Sequence, residues 1–297
     1  MKNETVFRVR GTVHRLADRT WIMGIVNVTP DSFHDGGRFA DPKRAVDHAL
    51  ELAAEGADII DVGGESTRPG SMPVDVQEEL RRVMPVIEQL CKEAGVPLSI
   101  DTSKAAVAQR AIDAGAEIIN DVTGLAGDPA MIPLAVETGC GVCAMHIRGT
   151  PRTMQENPVY ADVVAEVLEY LRVRRDALLA AGIEQDRIAL DPGIGFGKTT
   201  EHNLQLLANA RRLHSLGCPV LIGHSRKRFL AEVSRRAGDC PDFRISENGT
   251  VPFDAATAGT IGVALSLARQ GVQILRVHDV APVREALLLF QAAGGLA

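Results

Sequence analysis

Asp101, Asn120 and Asp191 each close a short apolar run of the sequence. Carboxylates only accept hydrogen bonds, whereas Asn both donates and accepts. Such a set can hold a metal, or the edge of a flat ring that carries amino and ring N–H groups beside acceptor nitrogens. Few histidines stand nearby in the pattern, so recognition of a heterocycle ranks above a dedicated metal cage. Arg276 and His278 lie two apart on another apolar run and therefore point the same way. Arg is suited to phosphate. Ser225-Arg226-Lys227 adds positive charge, with one of the two cations expected at an exposed helix start. The run Asp58 to Val62 hands over, through Gly63 and Gly64, to a loop bearing Thr67, Arg68 and Pro69. A buried strand ending near Asp61 and leading into an Arg-bearing loop makes one wall of a site. The segment from Gly193 to Lys198 has a Walker-like look, but Pro192 stands where that motif needs a glycine. It reads instead as a flexible loop whose backbone lies close to a flat ligand, with Phe196 supplying an aromatic surface.

These residues must be positioned by the elements around them. Thr5 to Leu16 alternates weakly around Gly11 and suits a small hairpin. From Ile22 onward, short apolar runs alternate with helical spacing: Pro42 to Glu55, Val74 to Ala94, Lys104 to Ala114, Pro129 to Thr138, Val159 to Ala181, Glu201 to Ser215, Ala255 to Arg269 and Pro282 to Ala293. Strands apolar on both faces, alternating with helices, argue for a parallel sheet. Eight such pairs in 297 residues fit an α/β (β/α)8 TIM barrel with a short N-terminal hairpin. Residues 1–20 are expected to be the hairpin extension, and 21–297 a single barrel domain. The runner-up, an open doubly wound sheet, usually carries a glycine-rich fingerprint after its first strand, where Val28-Thr29-Pro30 stands here. Asn27, Asp61, Asp101, Asn120, His146, Asp191, His224 with Ser225, and Arg276 with His278 all fall at or just past strand carboxyl ends. In a barrel these ends converge on one mouth.

Composition narrows the function classes. The formal net charge is −6, and no basic run interleaves with aromatics, which argues against a nucleic-acid surface. No apolar run reaches membrane-spanning length, and Met1 to Arg19 lacks the apolar core of a signal peptide, so a cytoplasmic location is expected. The five cysteines are scattered. Cys140 and Cys143 form a C-x-x-C on a predicted strand, where residues three apart face opposite ways, so they read as unpaired thiols.

Taken together, the stretches Gly24-Ile-Val-Asn-Val-Thr-Pro-Asp-Ser-Phe-His-Asp-Gly-Gly37 and Asp58-Ile-Ile-Asp-Val-Gly-Gly-Glu-Ser-Thr-Arg-Pro-Gly70 closely resemble the first two signatures of dihydropteroate synthases. Ser99 to Lys104, Ile119 to Asp121, Met145-His146, Leu190 to Lys198, Ser225 to Lys227 and Arg276 to Asp279 are family-like and in family order. The resemblance spans about Trp21 to Val283.

It implies condensation of 6-hydroxymethyl-7,8-dihydropterin diphosphate with 4-aminobenzoate, giving 7,8-dihydropteroate and pyrophosphate in folate synthesis. By resemblance, Asp101, Asn120 and Asp191 bind the pterin edge, Met145 packs on its ring, and Lys227 reaches its polar side. Arg276 lies over the pterin and, with His278, Thr67 and Arg68, holds the diphosphate. Asn27 binds the Mg²⁺ that the diphosphate brings. Arg68, Lys227, Arg276, His278 and Asp35 form the expected catalytic set, with Asp35 facing a pterin cation. Phe33, Thr67, Pro69, Phe196 and Ser225 are expected to shape the aminobenzoate pocket. Sulfonamides mimic that substrate, which makes Phe33 and Pro69 the positions to watch for altered sensitivity. A homodimer through late barrel helices is implied as well. His224 departs from the small or apolar residue usual before Ser-Arg-Lys, and is left out of the catalytic set. Two alternatives remain from other classes: a corrinoid-dependent methyltransferase, which handles no diphosphate, and a non-catalytic pterin-binding module.

Overall fold

The computed structural model describes residues 5–16, 19–29, 42–68, 70–236 and 255–296. Phe33, Asp35, Pro69 and Cys240 lie outside the described residues. β1 (Val6–Val9) and β2 (Thr12–Arg15) pair antiparallel, as the weak alternation around Gly11 suggested.

Strand and helix then alternate. β3 (Trp21–Asn27) precedes α1 (Pro42–Ala54), and β4 (Ile59–Gly63) precedes α2 (Val76–Glu93). β5 (Leu98–Asp101), α3 (Ala105–Ala114), β6 (Ile118–Asp121), α4 (Met131–Thr138) and β7 (Gly141–Met145) follow. The series continues through α5 (Val163–Ala180), β8 (Ile188–Asp191), α6 (Thr200–Ala208), β9 (Leu221–Gly223), α7 (Arg228–Arg236), α8 (Ala255–Arg269), β10 (Ile274–Val277) and α9 (Val280–Ala292). Local chemistry sets several helix starts. Asp75 caps α2 by accepting from the Glu78 N–H at 2.8 Å. Asp162 caps α5, accepting from Val164 and Ala165 at 3.0 Å each. Thr199 and His202 close a reciprocal box at the start of α6. The helix expected to run to Ser215 stops at Ala208 and continues as a 3-10 turn over Ala210–Leu216. Asn209 caps the break: its backbone N–H is shared between the Gln205 and Leu206 carbonyls at 3.1 and 3.2 Å, and its Nδ2 also donates to the Gln205 carbonyl at 2.9 Å.

The eight barrel strands are parallel, in the order β8-β7-β6-β5-β4-β3-β10-β9. A bridge between Leu190 and Val220, with the Leu190 N–H on the Pro219 carbonyl at 2.9 Å, joins the two ends. That closure rules out the open sheet. The inward residues Met23, Ile59, Ile118, Cys143, Ala189, Leu221 and Ile274 form one apolar layer with Phe7, Val9 and Leu16 of the hairpin. The hairpin is therefore a plug in the N-terminal end of the barrel, and Arg8 fastens it with bonds of 3.0 and 2.8 Å to the Asp186 carboxylate. The outward residues pack under the helices as a second, larger cluster. Cys140 belongs to the outer cluster and Cys143 to the inner one, and both are free thiols. Among the described residues no helix is long and apolar enough to cross a membrane.

Candidate functional site

Immediately above the apolar floor, the inward positions turn polar. Register aligns Asp101 with Gly63 and Asn120, Met145 with Asp191, and Arg276 with Gly223 and Met23. Adjacent in-register residues of parallel strands share a face, so one set of alternate residues supplies both floor and mouth. Arg276 is the hub. Its Nε donates to Asp61 Oδ2 at 2.6 Å and its Nη2 to Asp101 Oδ2 at 2.7 Å. Asn120 Nδ2 donates to the same Asp61 oxygen at 3.0 Å. Asp61 is fully buried, and its Oδ1 meets no partner. The sequence places Asp61 at a strand end in one wall of the site, outside the expected binding and catalytic sets. Asp61 lies inside β4, on the inward phase, and orients both Arg276 and Asn120. The available signal was a carboxylate within a run that is otherwise apolar on both faces.

A second structure faces this hub. Gly193, Gly195 and Gly197 take left-handed φ values of 66°, 84° and 66°, forming an arch after Asp191. A Cβ on Gly193 would sit 1.9 Å from the His146 carbonyl oxygen, so only glycine fits. The arch is not the flexible loop expected from its glycines. The Gly193 N–H donates to Asp191 Oδ1 and the Gly195 N–H to Asn203 Oδ1, each at 2.7 Å. Gln155 Nε2 donates to the Gly195 carbonyl at 2.8 Å and the Tyr160 hydroxyl to the Gly197 carbonyl at 2.9 Å. Behind it the buried Lys198 contacts the Gly193 and Phe196 carbonyls and His146 Nδ1, each at 2.9 Å. In front, Lys227 Nζ donates to the Ile194 carbonyl and stands 4.5 Å from the Phe196 ring centroid. Sequence reading noted His146 only as a strand end, and gave Lys198 no role.

The remaining expected residues ring this centre. Ser225 Oγ accepts from the His278 N–H at 3.3 Å and lies 3.1 Å from His278 Nδ1. Arg226 takes a left-handed φ of 55° and turns outward to Asp279 Oδ2 at 2.9 Å, which sends Lys227 inward. Asn27 ends β3 in register with Gly63. Thr67 is half-buried and Arg68 exposed, on a loop whose Gly70 N–H reaches the Pro151 carbonyl at 3.2 Å. Lys104 anchors the loop's root through Glu65 and through Glu79 Oε2 at 2.6 Å. His224 is buried and faces away from the mouth, its Nε2 donating to the Thr260 carbonyl at 2.9 Å.

Burial and pairing set the charges. Burial pushes Asp101 up to about 7 against the pull of Arg276. Burial raises Asp191 too, with Lys227 opposing. Burial brings Lys227 down to about 8, with Asp191 resisting. Burial, then the nearby Arg276, holds His278 down at about 3, so its imidazole is neutral near pH 7. Burial also acts against Arg276, but Asp61 and Asp101 outweigh it and keep the guanidinium charged. The mouth thus offers acceptors from three aspartates, a carboxamide, and two directed cations. No group of three or more His, Cys, Asp or Glu side chains that could hold a metal occurs among the described residues. A metal at this mouth would have to take most of its ligands from a substrate or water, the usual situation of Mg²⁺ beside phosphates.

Residues 23–278 match the model of the pterin binding enzyme family. The chain is 44% identical over 271 residues to dihydropteroate synthase of Escherichia coli strain K12, covering 91% of this chain and 90% of that one. It is 44% identical to Xanthomonas albilineans dihydropteroate synthase solved with 4-aminobenzoic acid, at a TM-score of 0.85 over 98% of this chain and 99% of the other. A further structure of the X. albilineans protein, in complex with 7,8-dihydropteroate, is 43% identical at a TM-score of 0.82, covering 97% and 98%.

Proposed function

The chain belongs to the pterin binding enzyme family and, within it, to the dihydropteroate synthases, and from that premise we propose how its mouth works. The reaction joins 6-hydroxymethyl-7,8-dihydropterin diphosphate to 4-aminobenzoate, releasing pyrophosphate and 7,8-dihydropteroate. The observation that carries this reading is the polar set of Asp101, Asn120, Asp191 and Arg276 at the strand ends above an apolar floor, with Lys227 held against the arch that faces it. A pterin has amino and ring N–H donors on one edge and acceptor nitrogens beside them. Aspartates and a carboxamide match that alternation, while Met145 at the neighbouring strand end offers an apolar face to the ring.

Arg276 receives the pterin beside its aspartates and reaches toward the diphosphate. Neutral His278 donates one hydrogen bond to a phosphate oxygen, and Ser225 holds its ring. Thr67 and Arg68 approach from the second loop, and Arg68 adds a charge that is exposed until the loop is covered. A Mg²⁺ ion carried in by the diphosphate would be held by Asn27, and would supply positive charge to the departing pyrophosphate. Charge stabilisation on the leaving group, together with delocalisation in the electron-rich ring, favours departure before attack. The aryl amine is neutral near pH 7 and attacks without a strong base. In this reading Phe33 and Pro69, with Thr67, Phe196 and Ser225, shape the aminobenzoate pocket, Asp35 faces the cation, and their closure shuts out water that would trap it. Dimerisation is supported by Leu288 and Leu289, exposed at 53% and 61% on α9, and sedimentation would test it.

Pyrophosphate release on mixing the protein with both substrates and Mg²⁺ tests the reaction. Methyl transfer without pyrophosphate release would overturn it. Arg276→Ala is expected to lower turnover by at least about 10²-fold, the scale for removing a donor to developing charge. A binding module would lose affinity and have no turnover to lose.

A further inference from the structure

The glycine arch lies between two lysine side chains. On the site side, Lys227 donates to Ile194 and passes so close that a Cβ on Gly195 would be 2.9 Å from its Cδ. On the other side Lys198, only 2% exposed, touches Gly193 O, Phe196 O and His146 Nδ1, each at 2.9 Å. Lys198 makes no ion pair among the described residues; burial works against its charge, with the Asp191 carboxylate opposing, an unusual arrangement for a lysine buried so completely. Either protonation state of the amine is fully satisfied there. An ammonium donates to all three groups, and a neutral amine donates to both carbonyls and accepts from the ring N–H.

The alternating left-handed glycines make this possible. They turn the Gly193 and Phe196 carbonyls inward to Lys198 and leave the Ile194 carbonyl facing Lys227. His146 is held in turn, packed edge-on against Tyr170 with ring centroids 4.7 Å apart. Fixing the Phe196 carbonyl also fixes the ring that Lys227 stands over.

We propose that Lys198 and His146 are positioning residues for the reaction: they lock the Gly193–Gly197 arch so that the Ile194 carbonyl and the Phe196 ring form a rigid seat for Lys227. Neither residue touches substrate. Their effect passes through the direction of the Lys227 amine, and so rests on the reading of Lys227 as a pterin-binding group. Without Lys198, the Phe196 carbonyl and a ring nitrogen are left unpaired in a dry space, and the Gly193 carbonyl keeps only the Phe196 N–H at 3.0 Å. The arch must then open toward solvent and Lys227 loses its seat.

The test compares Lys198→Met, His146→Leu and His146→Asn with wild type. It reads direct binding of the pterin diphosphate, KM for each substrate, kcat, and the pH profile of kcat/KM. Lys198→Met is expected to weaken pterin binding at least about 10-fold, as one strong buried contact is lost, and to shift the alkaline limb of the profile. KM for aminobenzoate should rise as well, because the Phe196 ring assigned to that pocket loses its fixed backbone. His146→Leu should show the same pattern more weakly. His146→Asn, whose carboxamide can donate or accept, should restore most of the affinity that His146→Leu loses. A purely structural role would lower the urea midpoint of Lys198→Met while leaving pterin binding and the pH limb within about twofold of wild type, and that result would overturn the proposal. If Lys198→Met does not fold, the His146→Leu and His146→Asn contrast decides by the same criteria. Absence of pyrophosphate release by the wild-type protein would instead count against the functional reading, and the pterin-binding comparison would still judge the arch.

Discussion

Replacing Asp61 separates two roles that one carboxylate holds together. Its Oδ2 accepts from Arg276 Nε at 2.6 Å and from Asn120 Nδ2 at 3.0 Å, deep in the barrel. Asp61→Ala leaves both donors unpaired. Breaking a buried pair by removing one partner costs about 3–5 kcal/mol. Arg276 keeps Asp101 at 2.7 Å, so the low end of that range is expected. Asp61→Asn behaves differently. Its carbonyl can still accept from Arg276 and Asn120, but its amide group falls where Oδ1 has no partner and leaves a buried donor unpaired, at a cost of about 1–3 kcal/mol. Removing a buried charge also removes its desolvation cost, which offsets part of this, so Asp61→Asn should cost less than Asp61→Ala, about 1–2 kcal/mol. Function should not be spared. The guanidinium exchanges a charge-assisted bond of about 1.5–3 kcal/mol for a neutral one roughly half as strong. If that difference is felt where charge develops, kcat/KM falls by about 3- to 10-fold, and further if the side chain swings toward Asp101. Urea denaturation and pyrophosphate release measure the two effects. An Asp61→Ala protein as stable as wild type, or an Asp61→Asn protein with undiminished kcat/KM, would refute the assignment of Asp61 as the anchor of Arg276.

Other perturbations read separate parts of the molecule. Lys227, brought down to about 8 mainly by burial, is charged below that pH, so kcat/KM for the pterin diphosphate should fall above about pH 8; this limb should disappear in Lys227→Met. Burial holds His224 at about 4, below its ordinary 6.5, so its contribution to stability is full above 6.5 and is lost as pH falls through to about 4. Acidification from pH 7 to 5 should therefore cost the wild-type protein roughly 2 kcal/mol more than His224→Gln, and equal losses in parallel urea titrations would contradict this. Phe7→Ala removes a fully buried side chain from the barrel plug and should cost about 3–5 kcal/mol in the same assay; a cost near zero would mean that the hairpin does not seal the floor.

The amino-acid sequence by itself determined the alternation of strands and helices, because short continuous apolar runs and a 3.6-residue period are both written locally. The inward positions Asp101, Asn120, Asp191 and Arg276 were legible for the same reason: each interrupts or ends an apolar run. Partner choice was not legible. Arg276 meets Asp61 across 215 positions and Asp101 across 175, pairings fixed only when β10 closes against β3 and the register is set. The hairpin looked like an appendage, but packing makes Phe7 and Val9 part of the interior. Glycines at the arch suggested looseness, since an isolated segment with that composition is entropically free. Tertiary structure decided otherwise by bringing Lys198, Asn203, Gln155 and Tyr160 onto its backbone groups. The direction of Arg226 and Lys227 also waited on the fold, because one left-handed residue turns the first outward and the second toward the arch.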